Sequence, residues 1–192
     1  MAGWFGRLFG GHQSPLSNVP WPGPGDQFVC IDFETTGLKP SESRVIEIGA
    51  IRFNPSKELQ TTFQTLVNPG VEVPKKITEI TGITTAQIRR HDLPPEHAFE
   101  DLYRFIGDLP LIAYNAPFDA KFLSAEWLRL GIRGNNEYQD ILALARETLS
   151  LRSYKLADVA KHLGVEVEPD HRALSDAHAA LLIYDNLRQL TR

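Results

Sequence analysis

Asp32 and Glu34 stand two residues apart in the run Val29-Cys30-Ile31-Asp32-Phe33-Glu34, which is otherwise apolar. Read as a strand, the run puts both carboxylates on one face and Ile31 and Phe33 on the other. Neighbouring carboxylates repel unless a cation lies between them. An all-oxygen pair suits a hard divalent ion such as Mg²⁺ or Mn²⁺. A solvated strand end is the plainer alternative for this fragment. Thr35, Thr36 and Gly37 then read as a turn whose backbone N–H groups can meet a phosphate or a sugar hydroxyl.

Two further groups carry chemistry. In Tyr114-Asn115-Ala116-Pro117-Phe118-Asp119, Asn115 and Pro117 bracket a change from strand to helix, which places Asp119 in the first helical turn. The helix dipole also favours an acid there, so capping is the rival reading. In Asp170-His171-Arg172-Ala173-Leu174-Ser175-Asp176, Asp176 falls about one turn into the last helix, among alanines that allow close approach to a sheet. His171 stands at or just before that helix, where it can swing over the Asp176 face; a structural or surface histidine is the alternative. His178, two residues further on, must point elsewhere, to surface or packing.

Regular elements are needed to hold these residues. Residues 28–33, 44–53 and 58–67 read as three strands, rich in Val, Ile, Phe and Thr and separated by Gly, Pro, Asn and Ser. Short helices are expected at 75–80 and 85–90, and a longer one at 95–107 with Phe99, Leu102, Phe105 and Ile106 on one face. A fourth strand is expected at 111–114. A helix at 117–130 follows, with Phe118, Phe122, Leu123 and Trp127 as its apolar stripe. A short fifth strand precedes Asp140, and helices are expected at 141–149, 154–163 and 173–190. Three strands in succession followed by alternating helices and strands predict an α/β domain with a mixed sheet.

Composition bounds the function. The chain has 192 residues with 42% hydrophobic content, enough for one well-buried core and a tail. A net charge of −4 excludes a protein that grips nucleic acid by bulk positive charge. It leaves nucleic acid open as a substrate, because divalent cations reverse the sign of a local acidic site. The single cysteine, Cys30, forms no disulfide within the chain and no multi-cysteine zinc site. With no membrane-spanning run and no signal-peptide core, a cytoplasmic protein is expected. Residues 1–26, rich in Gly and Pro, are expected to form a flexible leader, and 27–192 the working domain. Trp4, Phe5, Leu8 and Phe9 share one side of a short helix that packs on the domain, stays disordered, or docks on a partner or a membrane surface. Gln13-Ser14-Pro15-Leu16 is loosely similar to a sliding-clamp peptide, a spacing too common to carry weight.

Together the pattern is Asp-x-Glu at a strand end, Asn-x-Pro-Phe-Asp at a helix start and His-x4-Asp on the last helix. It resembles the DEDDh (DnaQ-like) 3′→5′ exonucleases, the group that includes the epsilon subunit of bacterial DNA polymerase III, ribonuclease T and oligoribonuclease. Supporting blocks are 32–37, 45–51, 66–69, 80–84, 115–119, 153–156 and 171–176, in family order from about Phe28 to Leu190. The sister group carries tyrosine four residues before the last aspartate. Here that position holds Arg172, with His171 one residue earlier, which assigns the chain to the histidine group.

The resemblance implies an RNase H-like fold, a five-stranded mixed sheet flanked by helices. It also implies that Asp32, Glu34, Asp119 and Asp176 hold two Mg²⁺ or Mn²⁺ ions. By analogy Asp32 bridges the ions, Glu34 and Asp176 complete the site nearer the water, Asp119 supports directly or through water, and His171 is the general base. The substrate-contacting set is Thr36, Gly37, Leu38, Tyr114, Asn115 and Phe118, with Leu38 wedging against the last bases and Tyr114 or Phe118 stacking on one. Tyr114 stands where many relatives carry histidine. Asp140 resembles a further family acid, although capping the helix from Ile141 explains it equally well. The expected substrate is a single-stranded 3′ end, DNA before RNA, released as 5′-mononucleotides. A catalytically silent scaffold is the remote alternative. Epsilon subunits usually continue into a polymerase-binding segment, so a chain ending at Arg192 is expected to be a free-standing exonuclease or an epsilon-like paralogue. The leader then offers the route to polymerase or clamp association.

Overall fold

The computed structural model describes residues 26–54, 59–168 and 170–191. The expected leader, with its aromatic cluster and Gln13-to-Leu16 motif, lies outside the described residues apart from Asp26. The strands are β1 (Phe28–Thr35), β2 (Val45–Asn54), β3 (Leu59–Leu66), β4 (Leu111–Ala113) and β5 (Tyr138–Asp140). They form one sheet in the order β3-β2-β1-β4-β5. β1 pairs antiparallel with β2 and β2 with β3, while β4 runs parallel to β1 and β5 parallel to β4. This is the expected five-stranded mixed sheet. The first carboxylates therefore sit on the central strand.

The helices are α1 (Lys75–Thr81), α2 (Thr85–His91), α3 (Pro95–Ile106), α4 (Ala116–Leu130), α5 (Ile141–Thr148), α6 (Leu156–Leu163) and α7 (Ala173–Leu190). Alternation along β1 divides the molecule. Val29, Ile31 and Phe33 pack with Phe99, Leu102 and Ile106 of α3 and Phe122, Leu123 and Trp127 of α4. Phe28 and Cys30 face the other side, with residues of α5, α6 and α7. Burying one such large apolar side chain contributes roughly 1.5–3 kcal/mol, so a one-residue slip of β1 would expose a full row of them. Asp32 and Glu34 continue the Cys30 face, as the two-residue period predicts.

α7 crosses β1 and β2 closely. Ala173, Ala177 and Ala180 are buried beneath it, and Cys30 Sγ lies 3.2 Å from the Ala177 carbonyl oxygen. Larger residues at those alanines would lift the helix from the sheet. Among the described residues no helix is long and apolar enough to cross a membrane.

Several expected boundaries shift for local reasons. Arg44 lies outside β2, because its N–H bonds Thr36 Oγ1 and closes the loop after β1. α3 stops at Ile106, where Gly107 adopts φ 54°. α6 begins at Leu156 rather than 154. The Tyr154 hydroxyl instead ties the preceding connection, donating to the Leu149 carbonyl and accepting from Leu151 N–H.

Candidate active site

β1 presents Asp32 and Glu34, and the first turn of α7 brings Asp176 over them. Carboxylate oxygens from these three residues lie within 4.8 Å of one another. All three are half-buried, and their charges act on each other. Burial, then repulsion from Asp119, Glu34 and Asp176, holds the Asp32 carboxyl well above its ordinary range. Burial, then repulsion from Asp176 and Glu47, pushes Glu34 up to about 8, against the opposing pull of Arg172. Asp176 is raised by burial and drawn back by His171. Such a group is stable either protonated or neutralised by a cation.

Asp119, on α4, stands outside that group of three, and its charge and theirs act on each other. It is 1% exposed, and its Oδ1 has no hydrogen-bond partner among the described residues. Burial raises its carboxyl, while the backbone N–H groups of Asp119 and Phe33 act in the opposite sense. A buried carboxylate oxygen left without a donor is costly in a folded protein. Three oxygen donors within 4.8 Å, with an unsatisfied carboxylate beside them, fit a divalent metal ion.

The two helices that carry Asp119 and Asp176 are both capped from elsewhere. Asn115, at the N-cap of α4, adopts φ 68° and provides no side-chain cap. Asp140 Oδ1, at the end of β5, accepts the N–H of Asn115 at 3.0 Å, of Ala116 at 3.1 Å and of Leu142 at 3.1 Å. Asp140 thus caps α5, one of the two roles weighed for it, and also secures the start of α4. Arg172, at the N-cap of α7, likewise provides no side-chain cap. There Glu47 of β2 accepts the Ala173 N–H at 3.1 Å. Spacing along the chain gave no sign of either borrowed cap. A lone glutamate inside the apolar run Val45-Ile46-Glu47-Ile48 was the available signal, since a charge in such a strand needs a partner.

His171 is exposed, precedes α7 directly and adopts φ 44°. Its charge acts on Asp176 and opposes the effect of burial there. His178 is exposed, as expected.

The substrate-contacting set divides. Leu38, Asn115 and Phe118 line one groove of about 190 Å³ with Pro40, Pro117, Lys121 and Phe122. Leu38 is 81% exposed at its edge. The loop bearing Leu38 is tied to α4 by Arg129, which donates to the Pro40 carbonyl and to Glu126 Oε1 at 2.6 Å. Thr36 and Tyr114 make bonds away from that groove. The Thr36 N–H does not face outward for a phosphate, because it bonds the Arg44 carbonyl at 2.9 Å. Tyr114 is absent from the described groove lining and packs instead among the α5, α6 and α7 residues. Its hydroxyl donates to the Tyr154 carbonyl at 2.8 Å, and burial pushes it up to about 12.

Comparison with known proteins gives the family and the fold. The RNase_T family, described as Exonuclease, matches residues 29–184. DNA polymerase III PolC-type of Thermotoga maritima is 37% identical over 159 residues, covering 82% of this chain and 11% of that protein. The DNA polymerase III epsilon subunit of Treponema pallidum is 34% identical over 165 residues, covering 83% of this chain and 75% of that protein. The chain thus spans about a tenth of the PolC-type relatives it matches. A structure of exonuclease I superimposes with a TM-score of 0.77 at 20% identity, over 85% of this chain and 41% of that one, and shares the RNase H-like fold. By sequence pattern and by the epsilon relative, this chain belongs to the RNase_T exonuclease family.

Proposed function

We propose that this protein is a metal-dependent 3′→5′ exonuclease that hydrolyses single-stranded nucleic acid, DNA before RNA, to 5′-mononucleotides. The observation that carries the reading is the convergence of Asp32, Glu34 and Asp176 within 4.8 Å, with the buried Asp119 acting on Asp32 from α4. Three carboxylates on one spot, with a fourth acting on them from α4, serve a stable fold poorly, and they suit the binding of cations. Two Mg²⁺ or Mn²⁺ ions held there supply Lewis acidity to a phosphodiester and its attacking water.

This chain's own residues do the rest. Asp32, Glu34, Asp119 and Asp176 hold and orient the cations. His171 accepts the proton of the attacking water at an imidazole nitrogen, and its exposure lets it pass that proton to solvent. Leu38 and Phe118 seat the terminal base, since stacking on an apolar or aromatic surface is tolerant of sequence. Relatives named as DNA polymerase III polypeptides favour DNA, with proofreading or repair as the setting and a polymerase as a partner.

The test uses 5′-labelled single-stranded DNA and RNA of matched sequence with Mg²⁺, Mn²⁺ or EDTA. A ladder shortening from the 3′ end in metal alone, faster on DNA, is the expected result. Faster shortening of RNA would reassign the substrate. Intact oligonucleotide under every metal condition would leave the fold as a silent scaffold.

A further inference from the structure

We propose that Glu47, Gly49 and Arg172 form a docking latch that positions the first turn of α7, and with it His171 and Asp176, over the carboxylates of β1. The proposal rests on the exonuclease reading above and assigns roles to residues outside its catalytic set.

The register of the sheet places the latch. Across the antiparallel β1/β2 pair, Glu34 lies opposite Glu47 and Asp32 opposite Gly49. Glu47 and Gly49 therefore share the face that bears the site. At Gly49 the backbone of α7 lands directly on the strand. A Cβ there would stand 2.2 Å from Ala173 C and Leu174 N, both backbone atoms that cannot turn aside. Glycine is required at this point because the helix approaches too closely for any side chain.

Glu47 then locks the helix where Gly49 lets it land. Its carboxylate is fully buried, and both oxygens are taken. Arg172 Nε donates to Oε1 at 3.0 Å and to Oε2 at 2.9 Å, and Arg172 Nη2 also donates to Oε1. Ala173 N–H donates to Oε2 at 3.1 Å, and Gln64 Nε2 to Oε1 at 3.0 Å. The Ala173 bond supplies the cap that Arg172 does not, and a negative charge suits a helix N-terminus. One carboxylate thus fixes the side chain of residue 172 and the backbone of residue 173.

Stability alone is a poor reason for this arrangement. Glu47 loses all its water while the Arg172 side chain stays 35% exposed, and the cost of burying a charge offsets much of what such a pair contributes. Glu47 also adds negative charge beside Asp32 and Glu34, and repels both. What the pair does supply is register. Arg172 follows His171, whose φ of 44° is a left-handed conformation that a non-glycine residue keeps only where neighbours hold it. Asp176 lies one turn beyond, its N–H bonded to the Arg172 carbonyl at 2.9 Å. Fixing residues 172 and 173 fixes both groups.

The test compares Arg172→Lys, which keeps the charge and loses the planar fork, with Glu47→Gln. Thermal unfolding, Mn²⁺ affinity by calorimetry, and kcat and KM on a single-stranded oligonucleotide are measured on each. Folded variants should lose about 10–100-fold in kcat and about 10-fold in Mn²⁺ affinity, the range typical of residues that orient metal ligands. KM should stay within about twofold, because no latch residue reaches the Leu38 groove. Wild-type kcat and Mn²⁺ affinity in a variant of lowered Tm would overturn the proposal and leave a stabilising pair only. Complete loss of Mn²⁺ binding in Glu47→Gln alone would overturn it too, by making Glu47 a ligand. A wild-type protein that cuts no nucleic acid would refute the exonuclease reading, and Mn²⁺ affinity would still decide the latch.

Discussion

The carboxylate of Asp140 accepts the backbone N–H of Asn115 at 3.0 Å, and so the end of the fifth strand holds the entry to the helix that carries Asp119. The same oxygen accepts from Ala116 and Leu142, so three N–H groups depend on it. Hydrogen bonds to charged groups contribute roughly 1.5–3 kcal/mol each when a single partner is removed, and they share here. Asp140→Ala should cost about 3 kcal/mol in urea unfolding. Asp140→Asn retains an acceptor oxygen and should cost about 1 kcal/mol. Equal losses would show that the oxygen is not what holds the turn.

Metal-free stability should fall with rising pH. Glu34 is raised from 4.5 to about 8 in the folded protein, by burial and then by its acidic neighbours. Between those values the folded state binds more protons than the unfolded chain. The Glu34 contribution is therefore complete below about pH 4.5 and lost as pH rises through about 8. Asp32, Asp119 and Asp176 shift in the same direction. In EDTA, Tm should drop by about 5–10 °C between pH 5 and pH 8, and Mn²⁺ at pH 8 should restore it. A flat profile in EDTA would mean that the carboxylates are not raised.

Asp32→Ala removes a carboxylate that Asp119, Glu34, Asp176 and Glu47 all repel. Metal-dependent cleavage should vanish, while Tm in EDTA at pH 8 stays level or rises. Residual full activity would remove Asp32 from the reaction.

His171→Ala should lower kcat by about 10²–10⁴, the range expected for a general base. Mn²⁺ affinity should be unchanged by calorimetry. Parallel loss of affinity and turnover would make His171 a ligand.

The groove and Tyr114 separate in a fifth experiment. Phe118→Ala should raise KM about 5–150-fold, since base–aromatic stacking contributes on the order of 1–3 kcal/mol, and Leu38→Ala should raise it in the same direction. Tyr114→Phe should leave KM within about twofold and cost about 1 kcal/mol of stability, the net value of its bond to the Tyr154 carbonyl. A large KM effect in Tyr114→Phe would put its hydroxyl at the substrate.

Much of this was legible in the chain because it is periodic. Alternation in 29–34 predicted which face bears Asp32 and Glu34, and the alanines around Asp176 predicted how near α7 comes to the sheet. What stayed hidden depends on contacts between distant segments. Glu47 reads as one polar residue in an apolar strand, and only the register opposite Glu34 shows that it meets Arg172. Tyr114 adjoins Asn115 in sequence, yet the end of β4 turns its ring toward Tyr154. Thr36 sits in a turn as expected, but pairing with Arg44 uses its N–H. Local pattern specifies faces and helix starts, and long-range pairing decides which polar groups remain free.

Strand carboxylates, not loop side chains, grip the beginnings of α4 and α7, so side chains on the rim loop are not what seats those helices. The loop bearing Leu38 joins that framework through Arg129 and Glu126, on the far stretch of α4 from Asp119. Exchanging residues around Leu38 can therefore retune which strand end is accepted while the chemistry keeps its alignment, so selectivity and turnover are separately adjustable by engineering.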